Sequence, residues 1–559
     1  MKSGGENQNT VPENEQVGAS ITLSDLGKIT TALQSVSSDL ADLKKTLQDC
    51  CRRHGDRGSD ADGFRSARCT CRPQSDGANL VCAPGTIEHA TWAHTSSLCS
   101  QLVNLGKRHG TSHAMRDLFT KDALPFFGLD NASATYPFVD LWGLPQGSVD
   151  RTHELGKTFP NDTDCWLSFK AYKDTAHALF PVLEDAEALE DELLQFLLTR
   201  RGAHNSDDKK HTTEDSIFGK DLGWVGLMFA VLASGSQCSS LECSQRELTS
   251  KVYICCSFEC LRMTNFLAGP DTRTIQTLLI LGNVLCNNVN VGVAWSLLGL
   301  TIRLCQTQEF LQRLATGDGR HPREASTLTG RLWGCIMWQD SFLSVTDGRA
   351  PSVVGHGSVL LKAGPRPRTY VECSTQLSKV TMDLLQDRSR WESLHKSAAN
   401  TVRLQQEIED IVSNAADHLR DRRLARSRQE RIESAALYLL TSHVTSELCR
   451  PALDPELDDC ILAKRLRVTC VDALTNTIDA FLLLQGITVF ARRSWFAVYR
   501  ALSCAILLAA LRTPEQDPRV SSLVTRLVST LDGTQDPTEM SSSMEGLLQT
   551  IKTLLRPTE

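Results

Sequence analysis

The sequence predicts an all-α protein, on three observations. From about residue 115 onward, apolar residues recur three and four apart, the period of a helix with one buried face. Capping and stop residues bracket several of these stretches. The alternating segments of about five to eight residues that half-buried strands need are missing. No repeat of solenoid length stands out, so the reading is one multi-helix domain preceded by a short coiled-coil helix and a disordered linker.

The elements follow in order. Residues 1–20 are polar and rich in Gly, Asn and Glu, and read as disordered. Within 21–49, Leu26, Ile29, Leu33, Val36, Leu40, Leu43 and Leu47 alternate by three and four over three heptads, the seam of a coiled coil. Ser24 is placed as its N-cap, and Asp39 and Lys44 fall at g and e positions that pair across a parallel dimer. A lone helix of this length is marginal in water, so the seam needs a partner. A second copy is one answer, and docking on the chain's own domain is the alternative. Residues 50–114 lack a period and read as a flexible linker rich in Cys and Arg.

The domain itself spans 115–555. Thr274 is read as the cap of a helix through Ile275, Leu278, Leu279 and Leu285. Asn287–Asn290 makes a turn, and Ala294, Trp295, Leu298 and Ile302 continue a second helix. Thr329 precedes a helix that Gly348 ends, with Pro351 just beyond. Further helices are read at 376–418, 428–448, 460–485 and 494–511. Met544, Leu547, Leu548, Ile551 and Leu555 form a last amphipathic stripe, read as a core helix, with an activation-type segment as the alternative.

Composition excludes some functions. With 59 Lys+Arg against 66 Asp+Glu, the net charge is −7, which rules out a wholly basic nucleic-acid-coating protein. Only 6 Tyr and 6% aromatic residues argue against a single-strand binder built on stacking. The polar start lacks the apolar core of a secretory signal, and the longest apolar runs are too short or too interrupted to span a bilayer, so no membrane partner is expected. Most of the 20 Cys lie in apolar helical stretches, as at Cys255, Cys256, Cys260, Cys286, Cys305 and Cys470, and read as small core residues.

No catalytic template is present: the sequence lacks G-x-S-x-G, H-E-x-x-H, a P-loop and G-x-G-x-x-G. No catalytic residue is assigned, and the chain is not expected to be an enzyme. The run Glu184–Glu192 reads as a solvated helix face. Cys50, Cys51, Cys69, Cys71, Cys82 and Cys99 are adjacent, one residue apart or far apart, whereas structural zinc sites space paired ligands by two to four. No C-x-x-C occurs, so no metal ligand and no cofactor is assigned. The cluster Arg420, Arg422, Arg423, Arg426, Arg428 and Arg431 is either a nuclear import or phosphate-binding patch or, as preferred here, a solvated turn and helix face.

A family pattern then emerges. Leu155-Gly-Lys-Thr-Phe-Pro160, Phe169-Lys-Ala-Tyr172 and His177-Ala-Leu-Phe-Pro-Val-Leu183 are followed by Thr274-Ile-Gln-Thr-Leu-Leu-Ile-Leu281 and by the helix Ala294–Leu304. Next come Arg331, Leu332 and Trp333, then Asp340, Ser344, Gly348, Arg349 and Pro351, and finally Leu448-Cys-Arg-Pro-Ala-Leu453 and the helix through Cys470. In this order the segments resemble the fungal-specific transcription factor domain, the middle homology region of fungal zinc-cluster regulators, over roughly residues 115–550. Trp333, Met337, Asp340 and Ser344 share one helix face, which points to packing. Arg331 and Arg349 are expected to pair with buried carboxylates such as Asp340. The chain departs from the family pattern at Gly334, where a second Trp is usual, at Ala350, where the Pro of Gly-Arg-Pro is displaced, and at Cys305-Gln-Thr-Gln-Glu-Phe310.

The resemblance implies a nuclear, dimeric regulator of transcription that acts on DNA, with zinc as the family's metal and a co-regulator or small effector as a further partner. Family members begin with a six-Cys zinc cluster, which this sequence lacks. Its first exon is then missing, or the chain is a regulator without its own DNA reader. The alternative function is a dimeric scaffold or dominant-negative partner that never touches DNA.

Overall fold

The computed structural model describes residues 149–532 apart from 205–211, 214–215, 265, 268–269, 308–323, 354–366, 389–393 and 455–460. All of these fall in one unit of the chain, Cys82–Glu559. The heptad seam Leu26–Leu47, the linker cysteines and the C-terminal stripe lie outside the described residues.

The described chain is almost wholly helical, as its periodicity predicts. In order come α1 (Val149–Thr158), α2 (Asp162–Ala171), α3 (Ala186–His204), α4 (Leu222–Cys238), α5 (Cys243–Met263), α6 (Thr272–Asn287) and α7 (Val291–Thr307). Then follow α8 (Glu324–Asp347), α9 (Tyr370–Arg388), α10 (Leu394–Ser413), α11 (Arg428–Cys449), α12 (Ile461–Ile487), α13 (Trp495–Ala510) and α14 (Pro518–Leu531). Three two-residue strands, β1 (Thr212–Thr213), β2 (Ser216–Ile217) and β3 (Lys220–Asp221), form an antiparallel ribbon ahead of α4. Phe218 and Gly219 both take positive φ between β2 and β3, the requirement of a tight hairpin turn.

Local signals explain several helix starts, and three elements differ from the sequence reading: first, α8 begins at Glu324, ahead of the Thr329 that the sequence suggests as its start. The N-cap of α6 is Asp271, whose carboxylate accepts from the Thr274 N–H; Thr274 is already inside the helix. The segment read as one helix over 376–418 is two, α9 and α10. At α11, Ser427 and Glu430 form a reciprocal capping box. At α14, Asp517 caps and Pro518 takes the first turn, where its missing N–H costs nothing.

Two helices are apolar on all sides, and both are central. All sixteen residues of α13 are buried, as are nearly all of α4. They anchor the larger of two apolar cores. A smaller one is built by α9, α10 and α11 around Leu377, Leu404 and Leu440. Trp338 and Leu179 pack against both. Where α2 and α4 cross, a Cβ on Gly235 would fall 1.9 Å from the Ser168 carbonyl oxygen, so only glycine permits the approach.

The Asn turn between α6 and α7 is more than a connection. Gln237 Nε2 donates to the Val284 carbonyl at 3.0 Å and to Asn288 Oδ1 at 2.9 Å. Asn287 Nδ2 donates back to Gln237 Oε1 at 2.9 Å, and Asn287 Oδ1 accepts from the Trp495 N–H at 3.0 Å. This network ties α4, α6 and α13 together where an apolar contact would leave buried helix ends unsatisfied.

Candidate functional site

The residues singled out from the sequence gather on α8 and its exit turn. Leu332, Trp333, Asp340 and Ser344 are all buried. Gly348, at φ 70°, closes the helix in the left-handed conformation, and Pro351 follows. Arg331 Nη1 donates to the Leu183 carbonyl at 3.0 Å, an oxygen that also lies 3.2 Å from His177 Nε2. The Phe180 ring stacks on Trp338 at 4.5 Å, and the Tyr370 hydroxyl donates to the Leu179 carbonyl at 2.9 Å. Segment His177–Leu183 and helix α8, about 150 positions apart in sequence, are therefore packed on each other.

The expected pairing of Arg331 and Arg349 with Asp340 does not occur. Asp340 Oδ2 instead accepts from the Val353 N–H at 2.8 Å and holds the exit turn onto α8. Burial pushes its carboxyl above the usual range, as expected of an acid without a cation beside it. Arg331 is spent on a carbonyl, and Arg349 lies over the Trp295 ring at 4.3 Å. Gly334 also has a physical reason: a Cβ there would sit 2.5 Å from Thr375 Oγ1, so α8 crosses α9 too closely for a second Trp.

The C-terminal half of α8 borders a small open cleft with room for little more than a water molecule. Three helices line it with the same stripe, i, i+3, i+4 and i+7. From α8 come Trp338, Ser341, Phe342 and Val345; from α9, Ser374, Leu377, Ser378 and Thr381; from α11, Leu440, His443, Val444 and Glu447. Arg500, from the middle of α13, completes the lining. Its side chain is 4% exposed, its Nη1 donates to the Phe496 carbonyl at 3.1 Å, and its Nε has no hydrogen-bond partner. The guanidinium carbon lies 3.8 Å from the centre of the Phe342 ring. No carboxylate pairs with it: Glu447 is held by Arg450, one turn on. Burial pushes the Arg500 pKa down to about 9, which leaves it a cation at neutral pH.

The sequence reading missed this site, although a signal was there. Arg500 is the one charge in the otherwise apolar helix Trp495–Ala510, and a charge at such a position is buried by construction. The hydroxyls within the apolar stripes of α8 and α9 were a second, weaker signal.

The cysteines expected in the core are there. Cys255, Cys256, Cys260, Cys286, Cys305 and Cys470 are buried, and burial pushes the Cys305 thiol up to about 12, far from a reactive thiolate. The arginine cluster is a turn and helix face: Arg420 pairs with Asp417, Arg423 with Asp421, and Arg422 covers the Tyr438 ring at 4.5 Å. Among the described residues no group of three or more His, Cys, Asp or Glu is placed to hold a metal ion, and no helix is long and apolar enough to cross a membrane. Compared with known proteins, the chain matches no family model and no characterised relative.

Proposed function

We propose that this chain is the regulatory part of a fungal transcription regulator of the zinc-cluster class, acting in the nucleus as a dimer and responding to a small effector. The observation that supports the reading is the behaviour of α8. Its motif half packs against the other segment of the same resemblance, His177–Leu183, and its second half packs against α9, α11 and the buried Arg500 of α13. A helix that touches both is suited to pass a change at one segment to the packing of the domain. The heptad seam Leu26–Leu47 supplies dimerisation with a copy or a relative, and a zinc cluster on another segment or on that partner supplies DNA contact and the zinc. No catalytic role is assigned.

The test is a reporter assay with the full chain fused to a heterologous DNA-binding domain. Transcription should change severalfold, and an unchanged reporter rejects the reading. One observation favours the second reading, a scaffold or dominant-negative partner: the sequence has no C-x-x-C pair from which to build a DNA-reading cluster. A gel shift with the purified 559-residue protein decides that point, since specific DNA binding by this chain alone excludes the scaffold.

A further inference from the structure

Helix α3 carries a heptad pattern on its solvent side. Glu187, Asp191, Leu194, Leu198 and Arg201 are spaced by four, three, four and three residues, so they share one stripe of the helix. All five are exposed. Leu194 is 42% and Leu198 68% exposed, and Arg201 reaches solvent although its Nε donates to Asp162. The opposite face, with Leu189, Leu193, Phe196 and Leu197, is buried in the larger core, so α3 cannot turn the two leucines inward. Ion pairs hold the helix on its neighbours near both ends: Arg200 pairs with Asp162, and Lys173 with Glu187 at 3.0 Å.

Two exposed leucines are ordinary surface when taken singly. What sets this stripe apart is the order of its charges, acidic ahead of the leucines and basic behind them. Turned antiparallel about a two-fold axis at the level of Phe196, the stripe is complementary to itself. Leu194 then meets the partner's Leu198, and Asp191 meets the partner's Arg201, each pair being made twice. A parallel copy in register would instead set like charges against each other at both positions. From this self-complementarity we propose that the outer stripe of α3 docks antiparallel on α3 of a second copy of this chain. Two leucine layers form the middle of the contact, and an Asp–Arg pair closes each end. The contact is one helix face wide, below the roughly 1,200–2,000 Å² of a stable complex, so by itself it forms only at high protein concentration. Where the heptad seam holds two chains together, their α3 helices meet at about millimolar effective concentration and the contact closes. This second contact goes beyond the seam dimer above and stands without the transcription reading.

Sedimentation equilibrium of the full-length chain tests it, under reducing conditions and in the Leu33→Glu, Leu40→Glu background, so that the seam does not contribute. That protein should be monomeric at micromolar concentration and form a reversible dimer toward roughly several hundred micromolar. Asp191→Arg sets positive charges against each other at both ends of the contact, and Arg201→Asp sets negative ones. Each variant should weaken the dimer about tenfold or more. An equimolar mixture of the two variants has opposite charges at every pair and should recover the dimer. Thermal melts establish that each variant is folded. Leu198→Glu, which alters an exposed side chain outside the ion pairs, should also weaken the dimer, and it serves if a charge variant does not fold. A monomer across the whole range, an affinity unchanged in the folded variants, or a mixture that associates no better than its components overturns the proposal.

Discussion

Gly235 offers a test in which one substitution should act with opposite sign at two places. Gly→Ala inside a helix ordinarily stabilises by about 1 kcal/mol, since alanine loses less backbone entropy and has the best helix propensity. At Gly235 the added Cβ would come within 1.9 Å of the Ser168 carbonyl oxygen and 2.7 Å of its carbon, both backbone atoms that cannot rotate away. Helices α2 and α4 would have to separate, and overpacking of this kind costs about 1–3 kcal/mol or more. With the propensity gain subtracted, the net loss for Gly235→Ala should reach about 2 kcal/mol. Gly299, within α7, has nothing within 4 Å of the same added atom. Gly299→Ala should therefore gain up to about 1 kcal/mol. Thermal unfolding of the two variants beside the wild type reads both, at about 2–4 °C per kcal/mol for a domain of some 150–250 residues and less for a larger one. A Gly235→Ala midpoint at or above that of the wild type would refute the close crossing of α2 and α4.

Three further expectations concern charge and assembly. His177 is largely buried, and burial lowers its pKa from 6.5 to about 4. Between those values the unfolded chain binds more protons than the folded one, so stability should fall as pH drops from 6.5 toward 4, by at most about 3 kcal/mol; denaturant melts of wild type and His177→Gln across that window should differ in slope. Glu259 is buried and shared by Arg151 and Arg262, so Glu259→Leu should break this buried ion-pair network and cost about 3–5 kcal/mol, measured as a lower urea midpoint. The double variant Leu33→Glu, Leu40→Glu should sediment at half the mass of the wild type, and an unchanged mass would reject the heptad seam as the dimer contact.

Much of the fold was legible because its signals are local. Apolar periodicity, Gly348 as a stop and the Asn287–Asn290 turn each depend on a few neighbouring residues. What failed was of two kinds. Helix limits shifted where two residues compete for one role, as when Asp271 rather than Thr274 caps α6. Side-chain partners were misassigned where charge alone suggested them: Arg331 and Asp340 share a helix, but one faces the Leu183 carbonyl and the other the exit turn. The cleft was hidden for a third reason. It is a meeting of stripes from α8, α9 and α11 with one residue of α13, and no single stretch records which stripes will face one another.

The Asn287 contact with Trp495 has a consequence for how the protein is made. Its two ends are 208 positions apart. At roughly 5–20 residues per second, α6 leaves the ribosome some 10–40 s before the segment that completes its turn. The wholly buried α13 arrives in that late segment, so the earlier helices meet solvent with their apolar faces uncovered until then. Synthesis of this chain thus contains a waiting period set by topology, in which the earlier helices lack their central partner until residue 510 emerges.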